Sequence, residues 1–194
     1  MAVDPRTFFQ TNMADTCSVW NVLSSSCLYQ GAVSAGCTFS CTEFVIYECL
    51  QKPRQGVYQH DVELQRRLKE EQKKGRFQTF RLEIEDLQEL DILQRRKKLG
   101  KGELSSIAFA KRTSQAFLTD DKGASRLARE IMVAQHVQST PHLFSWMIYE
   151  RILVDSDKQT VINEHESVKG QLREQFEEYY TLALQYRASR GGVD

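Results

Sequence analysis

Acids stand at four places where a buried strand should give way to a loop or helix. They are Asp15 in Ala14-Asp15-Thr16, Glu48 in Val45-Ile46-Tyr47-Glu48, Glu103 in Leu99-Gly100-Lys101-Gly102-Glu103, and the pair Asp120-Asp121 after Phe117-Leu118-Thr119. In an open α/β sheet, ligands bind outside the carboxyl ends of the strands. Carboxylates gathered there from distant parts of a chain repel one another unless a cation sits between them. All-oxygen ligands suit Mg²⁺ or Mn²⁺. Such a site, with water positions left open, can polarise a bound oxygen and lower the pKa of a bound water without a nucleophilic side chain. The four histidines form no Ser-His-Asp or Cys-His pattern.

Each acid also has a local explanation. Asp15-Thr16 is good N-cap chemistry. Glu43 and Glu48 lie about one helical turn apart, so one can face the strand-end cleft while the other is solvated. Glu103 in a first helical turn is favoured by the helix dipole. Gly100-Lys101-Gly102 is not a phosphate loop, because Glu103 stands where Lys and then Ser or Thr are needed. The doubled acid is the sharpest signal: one of Asp120 and Asp121 can cap the next helix, leaving the other for a metal. An aspartyl-phosphate enzyme is disfavoured, since residue 17 is Cys where a second Asp would be needed.

The elements that must position these acids read as alternating strands and helices. Residues 8–15 make a poor strand, with only Phe8, Phe9, Met13 and Ala14 apolar. An interrupted, Ser-rich helix follows over 17–35, then a strand at 37–41. Thr42 caps a helix carrying Phe44, Val45, Tyr47 and Leu50, which Pro53 ends. A charged helix at 61–74, a strand at 77–82 and a helix at 85–98 precede a helix opened by Glu103. A buried strand at 116–119 leads to a helix with Ala124, Leu127, Ala128 and Ile131 on one face. Residues 133–137 suit a strand, residues 141–152 an apolar helix, and residues about 167–188 a last helix carrying Phe176, Tyr179 and Tyr180. Strands separated by such helices imply an α/β fold with a mainly parallel sheet. Right-handed crossovers would bring residues 15, 41, 119 and 138 to one edge.

Composition sets the outer bounds. The 194 residues suit one domain, and 26 basic residues balance 26 acidic ones, so net charge selects no partner. No apolar run has membrane-span length, and the N-terminus has no signal-peptide stretch. Five cysteines without a CxxC pair suggest reduced thiols and a cytoplasmic setting. Two clusters are locally basic. One is Arg66, Arg67, Lys69, Lys73, Lys74 and Arg76, interrupted by Glu70 and Glu71. The other, Arg95, Arg96, Lys97, Lys98 and Lys101, has no interrupting acid, runs towards Glu103, and is the better candidate for phosphate-backbone contact.

The order of Asp15-Thr16, Glu48, Leu99-Gly100-Lys101-Gly102-Glu103 and Leu118-Thr119-Asp120-Asp121, with Gln138-Ser139-Thr140-Pro141 after them, resembles PIN-domain proteins. The nearest likeness is to the prokaryotic branch with Leu-Gly-x-Gly-Glu and Thr-Asp-Asp segments, and it covers about residues 12–150. The resemblance implies a Rossmann-like three-layer fold over 8–153, with 154–194 as a helical extension packing on the domain or on a partner. It implies a Mg²⁺- or Mn²⁺-dependent endoribonuclease with Asp15, Glu48, Glu103 and Asp121 as catalytic acids. Asp15, Glu103, Asp120 and Asp121 are the candidate metal ligands. RNA is the expected substrate. A toxin restrained by an antitoxin or other protein partner, and a homodimer, are further expectations; Phe176, Tyr179 and Tyr180 could serve a dimer interface or the core. A catalytically silent PIN scaffold binding RNA or protein is the alternative. Two departures from the family pattern are the weakly apolar first strand and a Glu at the third acid.

Overall fold

A computed structural model of the chain describes residues 3–53, 56 and 58–190. Five parallel strands form its centre: β1 (Thr11–Ala14), β2 (Thr38–Thr42), β3 (Gln78–Phe80), β4 (Ala116–Leu118) and β5 (Val137–Gln138), in the order β3-β2-β1-β4-β5. The chain steps outward from β1 to β2 and β3, then returns to the other side of β1 for β4 and β5. The reversal of direction falls between β1 and β4, and such a switch point opens a crevice at the carboxyl ends of the two strands. Ala14 pairs with Leu118 there, so Asp15 and Thr119 leave the sheet side by side.

Ten helices among the described residues cover the sheet: α1 (Thr16–Ser24), α2 (Ser26–Ser34), α3 (Glu43–Leu50), α4 (Gln59–Lys73), α5 (Ile84–Arg96), α6 (Lys101–Thr113), α7 (Lys122–Ile131), α8 (Thr140–Tyr149), α9 (Asp157–Ser167) and α10 (Arg173–Arg190). The sheet separates two apolar cores. Met13 points into one, with Leu104, Ile107, Phe117 and Leu127. Ala14, its neighbour on the strand, points into the other, with Val19, Leu28, Phe144 and Phe176. Alternation along one short strand thus serves both faces. The arrangement is three-layered, and it is α/β with a parallel sheet as the sequence pattern implies. No described helix is long and apolar enough to cross a membrane.

Several elements differ from the sequence reading. β1 does form, although residue 12 is polar: the buried Asn12 amide donates to the Phe9 carbonyl at 2.8 Å and its oxygen accepts from Gln138 at 2.7 Å. The expected strand at 133–137 shrinks to Val137–Gln138, because Val133 stays 59% exposed and residues 134–136 make a 3-10 turn. The helix expected over 17–35 is two helices, with Ser25 as the cap between them. The helix expected to reach Ile152 ends at Tyr149, and Arg151 turns left-handed at φ 59°. α9 was not expected. A left-handed Lys169 then separates it from α10, which starts at Arg173 rather than near residue 167. Both helices feed the main core through Val161, Ile162, Phe176 and Ala183.

Candidate metal centre

Asp15 is fully buried and caps α1. Its Oδ1 accepts from the Ser18 amide at 2.9 Å, from the Ser18 hydroxyl and from the Cys17 thiol at 3.1 Å, and its Oδ2 accepts from the Thr119 hydroxyl at 2.5 Å. Burial raises its pKa from 3.8 to about 6, and the bonds from Ser18 and Thr119 pull the other way. Ser18 Oγ also lies 2.6 Å from the Leu118 carbonyl. A hydroxyl has one proton, so Ser18 Oγ donates to either the Leu118 carbonyl or Asp15 Oδ1 at a time.

Glu48 reaches from α3 across to the start of α6. Its Oε2 accepts from Thr16 Oγ1 at 2.6 Å and its Oε1 from the Gly102 amide at 3.4 Å. A Cβ on residue 102 would lie 2.9 Å from Thr16 Oγ1 and would run into the Glu48 carboxylate. Glycine is what lets the two helices close on this acid. Glu43, by contrast, is exposed and faces Arg81 at 3.5 Å.

Glu103 occupies the first turn of α6, which begins two residues earlier than expected, with Gly100 at the N-cap. Its pKa is raised, first by burial and then by the charges of Glu48 and Asp121, while its own amide and that of Gly100 lower it. Its Oε2 is buried with no hydrogen-bond partner. It packs against Gly100, and a buried carboxylate oxygen left without a donor there is costly.

The doubled acid divides its roles. Asp121 is exposed and caps α7, accepting from the Ala124 amide at 2.7 Å, while its own amide donates to Thr119 Oγ1 at 3.1 Å. Asp120 points the other way. It accepts from Asn21 Nδ2 at 2.9 Å and from the Thr140 amide and hydroxyl at 2.8 and 2.6 Å, which ties α1 to α8. Burial raises its pKa as well.

No family model, curated protein or solved structure matches this chain. The site therefore rests on its own geometry. The fold brings Glu48, Glu103 and Asp121 within electrostatic reach of one another. Thr119 joins Asp15 to Asp121, and Thr16, next to Asp15, joins it to Glu48. Asp120 is held towards α8 by its three donors. Among the described residues, none of the five acids has a Lys, Arg or His ion pair. Nor are any three His, Cys, Asp or Glu side chains among them drawn together as a metal-binding group. Like charges without a basic partner repel, and a hard cation would satisfy the unpaired Glu103 oxygen.

The basic residues flank this cluster on two sides. Lys97 Nζ lies 3.3 Å from the Gly123 carbonyl at the start of α7, and Lys101 lies over the Phe44 ring at 5.8 Å. Lys98 is exposed, Arg95 is bound to Asp91 at 2.5 Å, and Arg96 faces Glu130 at 3.8 Å. In the first basic cluster, Arg66, Arg67, Lys74 and Arg76 are all engaged with Glu63, Glu70 or Glu71. Sequence reasoning singles out neither Ser18 nor Asn21, and it points to Thr140 only through the family resemblance, not as a partner of Asp120. Ser18 was findable, being three residues after a capping Asp; Asn21 and Thr140 meet Asp120 only through the tertiary fold.

Proposed function

We propose that this chain is a metal-dependent endoribonuclease of the PIN type. The observation that carries the proposal is the buried Glu103 Oε2 without a hydrogen-bond partner, within electrostatic reach of Glu48 and Asp121 and with no basic side chain paired to it among the described residues. Mg²⁺ or Mn²⁺ bound there supplies positive charge to a phosphoryl oxygen and lowers the pKa of a bound water. Glu103 and Asp121 are the residues to hold it, with Glu48 braced by Thr16 and Gly102. Asp15, clamped by Ser18 and Thr119, sets the floor of the site. Lys97, Lys98 and Lys101, with Arg95 and Arg96, draw the phosphate backbone of RNA to the rim. All five cysteines are free thiols, which fits a cytoplasmic setting. The toxin setting, with an antitoxin or a homodimer as partner, rests on the family resemblance alone.

The test is RNA cleavage by the purified chain in Mn²⁺. The proposal requires cleavage that is lost in EDTA and in Asp15→Asn and Asp121→Asn. Cleavage that survives these changes overturns it. One observation favours a silent scaffold instead: Asp15 is already saturated with donors. Of the aromatic residues of the last helix, Phe176 serves the core, buried against Phe144, while Tyr179 and Tyr180 are half-buried.

A further inference from the structure

The amino ends of the strands carry a second opening, at the other edge of the sheet from the acids. On the sheet face that α6 covers, Thr42 Oγ1 lies 2.7 Å from Ser105 Oγ, and the Phe80 ring centroid lies 5.0 Å from that of Phe109. Thr11 pairs with Thr38, Met13 with Ser40, and Ser40 with Gln78. Alternation therefore puts Thr11, Thr38, Ser40 and Gln78 on this same face, nearer the amino ends. With Phe80 and Gln115 they line a cavity of about 400 Å³. Gly36 and Gly75, at φ 85° and 77°, also line it and bring no side chain to fill it.

This wall holds unused hydrogen-bonding capacity. Ser40 is only 8% exposed, and its hydroxyl has no hydrogen-bond partner among the described residues. Gln115 Oε1 is buried and equally without one. Thr11, Thr38 and Gln78 add three side chains with no hydrogen bond among those residues. Buried polar groups are normally paired. The wall offers no free charge: Arg76 is the one charged residue among those lining it, and Glu71 holds it at 2.8 Å.

We propose that this cavity binds a neutral cyclic polyol of monosaccharide size. A sugar hydroxyl both donates and accepts, so it can give a proton to Gln115 Oε1 and also match the hydroxyls of Ser40, Thr11 and Thr38 and the Gln78 amide. The C–H face of the sugar ring rests on the half-buried Phe80. An anionic ligand finds no unpaired cation on the wall. The volume lies within the usual range of small-ligand pockets, about 300–1,000 Å³. A peptide strand would pair along the open edge of β3, whereas these side chains stand on the sheet face. The site is separate from the nuclease reading and does not depend on it.

The test is saturation-transfer NMR of the full chain, in EDTA, with glucose, galactose, mannose and inositol, followed by titration of each ligand that binds. A Kd of about 1–10 mM is expected for a ligand of this size. Ser40→Ala and Gln115→Leu should each weaken binding about 3- to 10-fold. Gln115→Leu also removes a buried oxygen that lacks a donor, so its Tm should not fall below wild type. Glucose 6-phosphate should bind no tighter than glucose. No saturation transfer to any of these polyols at about 50 mM, tighter binding of the sugar phosphate, or folded Ser40→Ala and Gln115→Leu variants that bind as wild type does would each overturn the proposal.

Discussion

Asp15→Asn should make the metal-free protein more stable. The native Asp15 titrates at about 6 against an ordinary 3.8, because burial opposes its charge. At about 1.4 kcal/mol per unit, keeping it ionised at pH 7.5 costs the fold at most about 3 kcal/mol. The amide avoids that cost but accepts fewer of the bonds from Ser18 and Thr119, a loss of about 1–1.5 kcal/mol. The net gain is about 1–2 kcal/mol, or about 2–8 °C in Tm for a domain of this size. The sign follows from the direction of the shift. The native state holds its proton to higher pH than the unfolded chain, so the wild-type penalty is complete above about pH 6. It fades as pH falls towards 4, and the advantage of the variant should fade with it. Adding Mn²⁺ reverses the order. Wild type gains about 2.7 kcal/mol at a hundredfold excess over Kd, and the variant gains less. Differential scanning calorimetry at pH 7.5, in EDTA and in Mn²⁺, reads both effects. An Asp15→Asn variant that melts below wild type in EDTA, with neither protein responding to Mn²⁺, would refute the reasoning.

Three further outcomes follow from single contacts. Gly102→Ala should weaken Mn²⁺ binding by about 10- to 100-fold, measured by calorimetric titration, because the new methyl displaces Glu48 from Thr16. Thr119→Val leaves both Asp15 Oδ2 and the Asp121 amide without their partner, so it should lower Tm and metal affinity together, with Thr119→Ser restoring both. His165 is held neutral, with its Nε2 accepting from the Leu172 amide at 3.0 Å and its Nδ1 proton given to Ser24 Oγ at 2.6 Å. Burial lowers its pKa from 6.5 to about 4. Its contribution is therefore full above pH 6.5 and lost as pH falls to 4, by up to about 3 kcal/mol. Asp15 acts in the opposite sense between pH 4 and 6, so urea unfolding should show a steeper acid loss in Asp15→Asn than in wild type.

What could be read from sequence was what local chemistry decides. The helix from Lys122 to Ile131 announces itself through Ala124, Leu127, Ala128 and Ile131, and Thr42 announces the helix it caps. Asp15 and the Asp120-Asp121 pair could be placed at strand ends because each follows a short apolar run; Glu48 and Glu103 could not, since Glu48 lies inside α3 and Glu103 in the first turn of α6, after a helix rather than a strand. Contacts between distant segments were not legible. Asn12 makes a sound central strand only because Gln138 answers it from β5. α9 shows little apolar periodicity, since one of its buried positions is His165. The division between Asp120 and Asp121 is set by Asn21 and Thr140, about 100 and 20 residues away along the chain. Local pattern gives no sign of either partner.

The central claim is that Glu103, Asp121 and their neighbours hold a divalent ion. Equilibrium Mn²⁺ binding to the full chain, followed by the loss of the free-ion electron paramagnetic resonance signal, tests it most directly. The account predicts binding below millimolar concentration that Glu103→Gln and Asp121→Asn each abolish. Wild-type protein that leaves Mn²⁺ free at millimolar concentration, or variants that bind it as wild type does, would contradict the account.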